Sequence, residues 1–164
     1  MEPYGVTFFC DDIRFEQQNK MTLIGCYGPE MLIYQEPPIT LPKLGIVVQA
    51  RFPLGQLPGI NVKMYMPGQD EPFHTQELSK AEETYQPTEE FDPNPTDPAG
   101  LIGQRGMAYP FLFSPFTIPA VGYLRVRLAF NSEVLRVGAL KVTQVQLPQI
   151  TGTAMTSPSV QPNG

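Results

Sequence analysis

Tryptophan is absent from the chain, histidine occurs once and cysteine only twice. One His and two Cys give at most three soft metal ligands, where a structural zinc site takes four. The single His74 has no serine, cysteine or acid that the sequence assigns to it, so no catalytic pair is readable. Long apolar runs are missing too. No stretch approaches the roughly 20 apolar residues that cross a bilayer as a helix. Charged residues make up 16% of the chain, and no basic face large enough to displace counterions from nucleic acid can be read. The start "MEPYGVTFF" carries an early acid and lacks the basic and apolar segments of a signal peptide. The expected location is the cytoplasm, or a virion assembled in the host cytoplasm.

Proline is abundant instead: 19 of 164 residues, about 12% against a usual share of about 5%. Prolines at this density forbid long helices and punctuate short extended segments. Ten Phe and seven Tyr supply bulk for a core. Runs rich in Val, Ile, Tyr and Phe, bounded by Gly, Pro or Asn, predict strands over Gly5–Arg14, Lys20–Gly28, Met31–Tyr34, Gly45–Phe52, Asn61–Met66, Met107–Ser114, Tyr123–Asn131 and Val134–Gln146. The fold expected is all-β, an antiparallel two-sheet β-sandwich of about eight strands, with a small closed barrel as the runner-up. Pro110 and Pro115 make the segment Met107–Ile118 an edge strand or a bent one. In "YLRVRLAFN", Leu124, Val126, Leu128 and Phe130 share one face and Arg125 and Arg127 the other. In the next run the apolar parity switches near Gly138, which predicts a bulge there.

The acidity is segregated. Between Glu77 and Asp97 seven acids face one base, a local net of −6 that leaves the remainder of the chain near +1. Residues 79–106 are therefore expected to be a long acidic, Pro-rich loop within a single domain spanning 1–148, either a solvated excursion or an arm that docks on a partner. Within it, "SKAEET" fits one helical turn capped by Ser79. Residues 149–164 form an uncharged tail with little apolar content, expected to be extended. The residues assigned to partner contact are Glu82, Glu83, Glu89, Glu90 and Asp92 in the loop, and Met155, Pro158 and Val160 in the tail.

The stretch "FFCDDIRFEQQNKMTLIGCYG", residues 8–28, holds both cysteines and two adjacent aspartates. A turn centred on Gln18 pairs Phe15 with Met21, Ile13 with Leu23, Asp11 with Gly25 and Phe9 with Tyr27 on one face. The other face then pairs Arg14 with Thr22, Asp12 with Ile24 and Cys10 with Cys26. The first face is apolar apart from Asp11, and a slip of one residue would scramble it. A disulfide between directly opposed neighbours closes only a short loop and is strained, so free thiols are expected. Adjacent strand residues point to opposite faces, which argues against joint calcium chelation by Asp11 and Asp12. Asp11 is expected to be largely buried over Gly25, bonded to backbone N–H groups. "GLIGQRG" lacks the lysine and the strand–loop–helix setting of a phosphate loop. "YPFLFSPF" reads as core or edge strand before it reads as a groove.

The pattern "FFCDDIRFEQQNKMTLIGCYGPEMLI", together with the later "PAVGYLRVRLAFNSEVL", resembles an uncharacterised family of small phage and bacterial β-sandwich proteins. The resemblance spans residues 6 to 145 in outline and implies a sandwich without catalytic residues. The resulting expectation is a non-enzymatic structural or interaction protein without cofactors, an accessory (decoration, head or tail) protein of a phage particle that docks through strand edges and an extended arm. Its partners would be capsid or tail proteins or further copies of itself, with neither nucleic acid nor membrane. The alternatives are a cytoplasmic ligand- or peptide-binding module, with His74 and the acidic loop lining a pocket, and a hydrolase whose residues are not visible in the sequence.

Overall fold

Period-two alternation of apolar and polar residues shapes the long strands of the computed structural model, which describes residues 3–53, 59–78, 104–130 and 133–146. In the strand Gly122–Phe130, Leu124, Val126, Leu128 and Phe130 are buried while Arg125 and Arg127 are half-exposed, as the pattern requires. Eleven strands occur among the described residues: β1 (Tyr4–Phe15), β2 (Met21–Cys26), β3 (Glu30–Ile33), β4 (Ile39–Leu41), β5 (Leu44–Pro53), β6 (Ile60–Tyr65), β7 (His74–Glu77), β8 (Gln104–Phe113), β9 (Phe116–Ile118), β10 (Gly122–Phe130) and β11 (Glu133–Gln144). They form a four-stranded sheet in the order β2-β1-β5-β8, a five-stranded sheet in the order β3-β11-β10-β6-β7, and a small ladder of β4 with β9.

The arrangement is sandwich-like. Ile46, Val48, Ala50 and Phe52 of β5 point into the same apolar cluster as Val62 and Met64 of β6 and Leu124, Val126 and Leu128 of β10. Burying each large aliphatic side chain contributes roughly 1.5–3 kcal/mol, so this cluster is the main source of stability. Phe52 and Phe130 stack across it with ring centroids 5.1 Å apart.

All eight expected strands are present, shifted by a few residues at their ends. Three short ones, β4, β7 and β9, are additional; runs of three or four residues beside prolines carry too little period to read. The expectation of purely antiparallel sheets is corrected by β3, which runs parallel to β11. Gly28 and Pro29 carry the chain out of the four-stranded sheet, and it joins the edge of the other one along β11, bonding Lys141 N–H to the Pro29 carbonyl and Val145 N–H to the Ile33 carbonyl. β8 begins at Gln104, so the last three residues of the loop expected over 79–106 belong to a strand. Residues 79–103 and 147–164, with the Ser79 turn and the tail, lie outside the described residues. The Pro-containing segment is both edge and bent: β8 lies at a sheet edge and β9 leaves it after Ser114–Pro115 to pair with β4.

The bulge expected near Gly138 is present. Val126 pairs with Gly138 and Arg127 with Arg136, which leaves Val137 as the extra residue. Val137 is buried, so the bulge lets Leu135 and Val137 share the core side with Leu140 and Val142. The glycine is needed for a second reason, because a β-carbon at 138 would lie 2.5 Å from Cβ of Thr7 on β1. Gly138→Ala is therefore expected to destabilise the fold by about 1–3 kcal/mol, the usual cost of overpacking. Urea unfolding checks this; a midpoint equal to that of the parent chain would refute the contact.

Candidate functional site

The hairpin of β1 and β2 adopts the register set by the turn at Gln18, which takes a positive φ of 63°. Phe15 faces Met21, Ile13 faces Leu23, Arg14 faces Thr22, Asp12 faces Ile24 and Cys10 faces Cys26. Both thiols are free; Cys10 is buried and Cys26 exposed. One detail departs from simple alternation. Cys10 and Ile13 share a small cluster with Val47, covered by Met21 and Leu23, whereas Phe9 belongs to the main core. The strand changes face between Cys10 and Ile13, and both side chains close over Gly45, where a β-carbon would lie 2.7 Å from the Cys10 Sγ and 2.8 Å from Ile13 Cγ1.

Asp11 does lie over Gly25, whose φ of +65° and absent side chain make room for the carboxylate. The expectation that Asp11 is buried and bonded to backbone N–H groups is corrected. The residue is exposed, and its Oδ1 accepts a 2.5 Å hydrogen bond from the Tyr27 hydroxyl. β2 is an edge strand, so the gap over Gly25 opens to solvent. Burial, then the bond to Asp11 and its negative charge, push the Tyr27 hydroxyl well above its ordinary range. Asp12 turns elsewhere, to Lys43 Nζ at 3.0 Å and to the Ile13 N–H at 3.0 Å. The Lys43 bond first, then the Ile13 N–H, hold its carboxyl below the ordinary range. The two aspartates thus serve different partners and do not converge. Among the described residues no group of three or more His, Cys, Asp or Glu is placed to hold a metal ion.

His74 starts β7, half-buried, and packs edge-on against Phe111 and Phe113 of β8 with centroids 5.5 and 5.3 Å away. With Phe73 and Phe116 these rings close one side of the space between the two large sheets. Among the described residues His74 Nε2 has no hydrogen-bond partner. The residue acts here as an aromatic packing element, and "YPFLFSPF" supplies its neighbours rather than a groove. Shallow grooves among the described residues are open to solvent. One of about 290 Å³ runs along Leu32, Tyr34, Ile39 and Leu41, and one of about 270 Å³ along Tyr4, Val6, Gln49, Arg51 and Ala108. His74 lines neither.

The second groove lies on a face that sequence reasoning did not single out. On the outer side of the four-stranded sheet, Tyr4 is 51% exposed, Val6 46%, Phe8 39% and Leu112 43%. Register places Phe8, Val47 and Pro110 in one cross-strand row, and Cys26, Cys10, Gly45 and Leu112 in the next. The exposed outward positions of β1, Tyr4, Val6 and Phe8, are all apolar, which is unusual for a face in contact with water. The alternating apolar residues of "YGVTFFC" carry that signal, masked by inward positions that are also partly apolar. Glu82, Glu83, Glu89, Glu90, Asp92, Met155, Pro158 and Val160, assigned from sequence to partner contact, all lie outside the described residues. Comparison with family models, with curated proteins and with solved structures finds no match for this chain. No helix of the described residues is long and apolar enough to cross a membrane.

At the opposite edge, Glu30 of β3 bonds Lys141 Nζ at 2.9 Å and the Thr143 hydroxyl, both on β11. The Thr143 hydroxyl first and Lys141 second hold the Glu30 carboxyl below its ordinary value. A carboxyl depressed by folding stabilises the folded chain above its unfolded pKa and loses that contribution as pH falls through the folded value. Lys141, raised by Glu30, contributes below its unfolded pKa and loses it as pH rises through the folded value. The melting-temperature gap between the parent chain and Glu30→Gln should hold steady around neutrality and close as pH drops below about 4. A gap independent of pH would show that the carboxylate contributes nothing to the docking of β3.

The thiols give a second test. Burial first, then the neighbouring Cys26 and Asp11, raise the Cys10 pKa. A thiol reagent at neutral pH should label Cys26 readily and Cys10 only under unfolding conditions. Two equally fast labelling phases in the folded protein would contradict this arrangement.

Proposed function

We propose that this chain is a non-enzymatic structural protein, a two-sheet β-sandwich that docks onto a neighbouring protein through its four-stranded sheet. The observation that carries this reading is the set of exposed apolar side chains Tyr4, Val6, Phe8 and Leu112 on one outer face, with the buried Val47 between Phe8 and Pro110. Contiguous apolar surface of this kind marks interaction sites on soluble domains. The β8 edge beside it extends the surface. Pro110 lacks an N–H and so faces the unpaired side of β8, which limits strand addition to the segments on either side of it. Given the resemblance of the hairpin and closing strands to small phage β-sandwich proteins, the partner we propose is another protein of a virus particle, with this chain as an accessory component.

The test uses particles purified from the producing culture. Mass spectrometry should find the chain in them, and Phe8→Glu with Val6→Glu should remove it from the particles while leaving the melting temperature within a few degrees, since both side chains are exposed. Particles that lack the parent chain, or that keep the double variant at full occupancy, would defeat the proposal.

A further inference from the structure

The outer face of the five-stranded sheet has the opposite chemistry to the apolar one, and its basic residues are gathered by register rather than by sequence. Lys63 of β6, Arg127 of β10 and Arg136 of β11 are direct cross-strand partners in one row. At the spacing of about 4.8 Å between strands, the three basic residues stand in a row roughly 10 Å long. The row continues to Thr75 on β7, so none of its members is an acid. Arg125 stands one step along on the same face, beside Tyr65, with its guanidinium 5.2 Å from that ring.

The neighbouring cations are already engaged. Lys141 is bonded to Glu30; Arg125 donates to the Gln69 carbonyl and has Asp70 at 4.0 Å. The three in the row are different: among the described residues none has a carboxylate partner. Arg127 Nη1 donates to the Val126 carbonyl at 3.0 Å, which holds the guanidinium against its own strand. Glu77 stands one row away, opposite Asn61.

Like charges placed directly opposite each other on a sheet destabilise it. This row exists because of the bulge at Val137. Were Val126–Gly138 pairing to continue without the extra residue, Arg136 would oppose Leu128 and point inward; the bulge turns it outward, opposite Arg127. Bulges commonly re-aim a side chain for a purpose beyond the ladder. Burial first, then the neighbouring Arg136 and Arg125, lower the Arg127 pKa, with Tyr65 acting in the opposite direction.

We propose that Lys63, Arg127 and Arg136 form a docking site for a short carboxylate-rich polypeptide segment supplied by another protein. Arginine presents a planar fork that grips carboxylates in bidentate fashion, and two of the three residues are arginine. The patch is only three strands wide, and the whole chain carries a net charge of −5. A long, uniformly charged nucleic-acid strand would extend well beyond a row roughly 10 Å long, whereas a short acidic peptide meets only the row. The inference concerns the face opposite the apolar one and does not depend on the function proposed above.

The probe is a fluorescent poly-glutamate peptide of about six residues, about 20 Å when extended, titrated with the full chain at low salt. Anisotropy should report saturable binding that weakens as salt rises. Arg136→Gln and Lys63→Gln should each weaken it roughly fivefold, the effect of losing one ion pair of about 1 kcal/mol, and Arg136→Glu should abolish it. Arg136→Gln should also leave the melting temperature equal or higher, because a repulsion has been relieved, whereas a purely structural arginine would lower it. No saturable binding at low salt would overturn the site. So would affinity unchanged in Arg136→Glu, or tighter binding of a single-stranded oligonucleotide of equal charge. Binding that emerges only after Glu82, Glu83, Glu89, Glu90 and Asp92 are changed to their amides would make this chain's own acidic stretch the occupant and overturn the assignment to another protein.

Discussion

Near Gly5 and Gly138 the two large sheets approach each other so closely that a β-carbon at either position would collide: with Val137 at 2.8 Å from residue 5, and with Thr7 at 2.5 Å from residue 138. This contact between β1 and β11 ties one sheet to the other away from the centre of the apolar cluster. It also fixes the bulge, because Val137 must be buried while Gly138 passes Thr7. From the bulge follow the inward set Leu135, Val137, Leu140 and Val142 and the outward turn of Arg136. On β1, the same contact sets which side chains face in. With Gly5, Thr7 and Phe9 directed inward, Tyr4, Val6 and Phe8 have no choice but to face out. One close approach therefore determines the chemistry of both outer faces.

Much of this was legible wherever a local pattern and a turn agreed. The register from Phe15–Met21 to Cys10–Cys26 follows from the apolar face and the turn at Gln18, and the alternation of "YLRVRLAFN" gives the inward and outward sides of β10 directly. The bulge was visible as a change of parity, since Leu135 and Val137 cannot share a face with Leu140 and Val142 in a regular strand. Three kinds of feature were not legible. Strands of three or four residues, such as Ile39–Leu41, have too few alternations to carry a period. The parallel pairing of β3 with β11 joins residues more than a hundred positions apart, and nothing local encodes its direction. The cationic row is likewise a product of register across three strands, invisible while Lys63, Arg127 and Arg136 are read as separate points.

The hairpin shows how a stretch rich in reactive residue types becomes scaffold. Cys10 fills a pocket beneath Ile13, Met21 and Leu23 and behaves as a small apolar side chain. Asp11 fills the space that Gly25 leaves and satisfies itself on a hydroxyl. Both its exposure and its partner differ from the expectation of a buried carboxylate bonded to backbone N–H groups, and the cause is position: an edge strand leaves one flank of each residue open to water. His74 likewise becomes scaffold: its ring is matched to phenylalanines, and its Nε2 goes without a partner among the described residues. A buried nitrogen without a hydrogen bond is tolerated where the ring's packing offsets its desolvation.

The two outer faces differ in what they are able to supply. An apolar surface gains free energy in proportion to the area it removes from water, at about 25 cal/mol per Å², but it is indifferent to orientation. A row of charges at the surface gains little per ion pair, yet it steers a partner of opposite sign and rejects one of like sign. A sandwich with one face of each kind is polar in the geometric sense, because it does not present equivalent surfaces when turned over. Such a module fits between two different neighbours better than between two copies of the same one. The bulge at Val137 is the point at which the chain commits to that asymmetry, since without it Arg136 would point inward and the row of Lys63, Arg127 and Arg136 would lose one of its three cations.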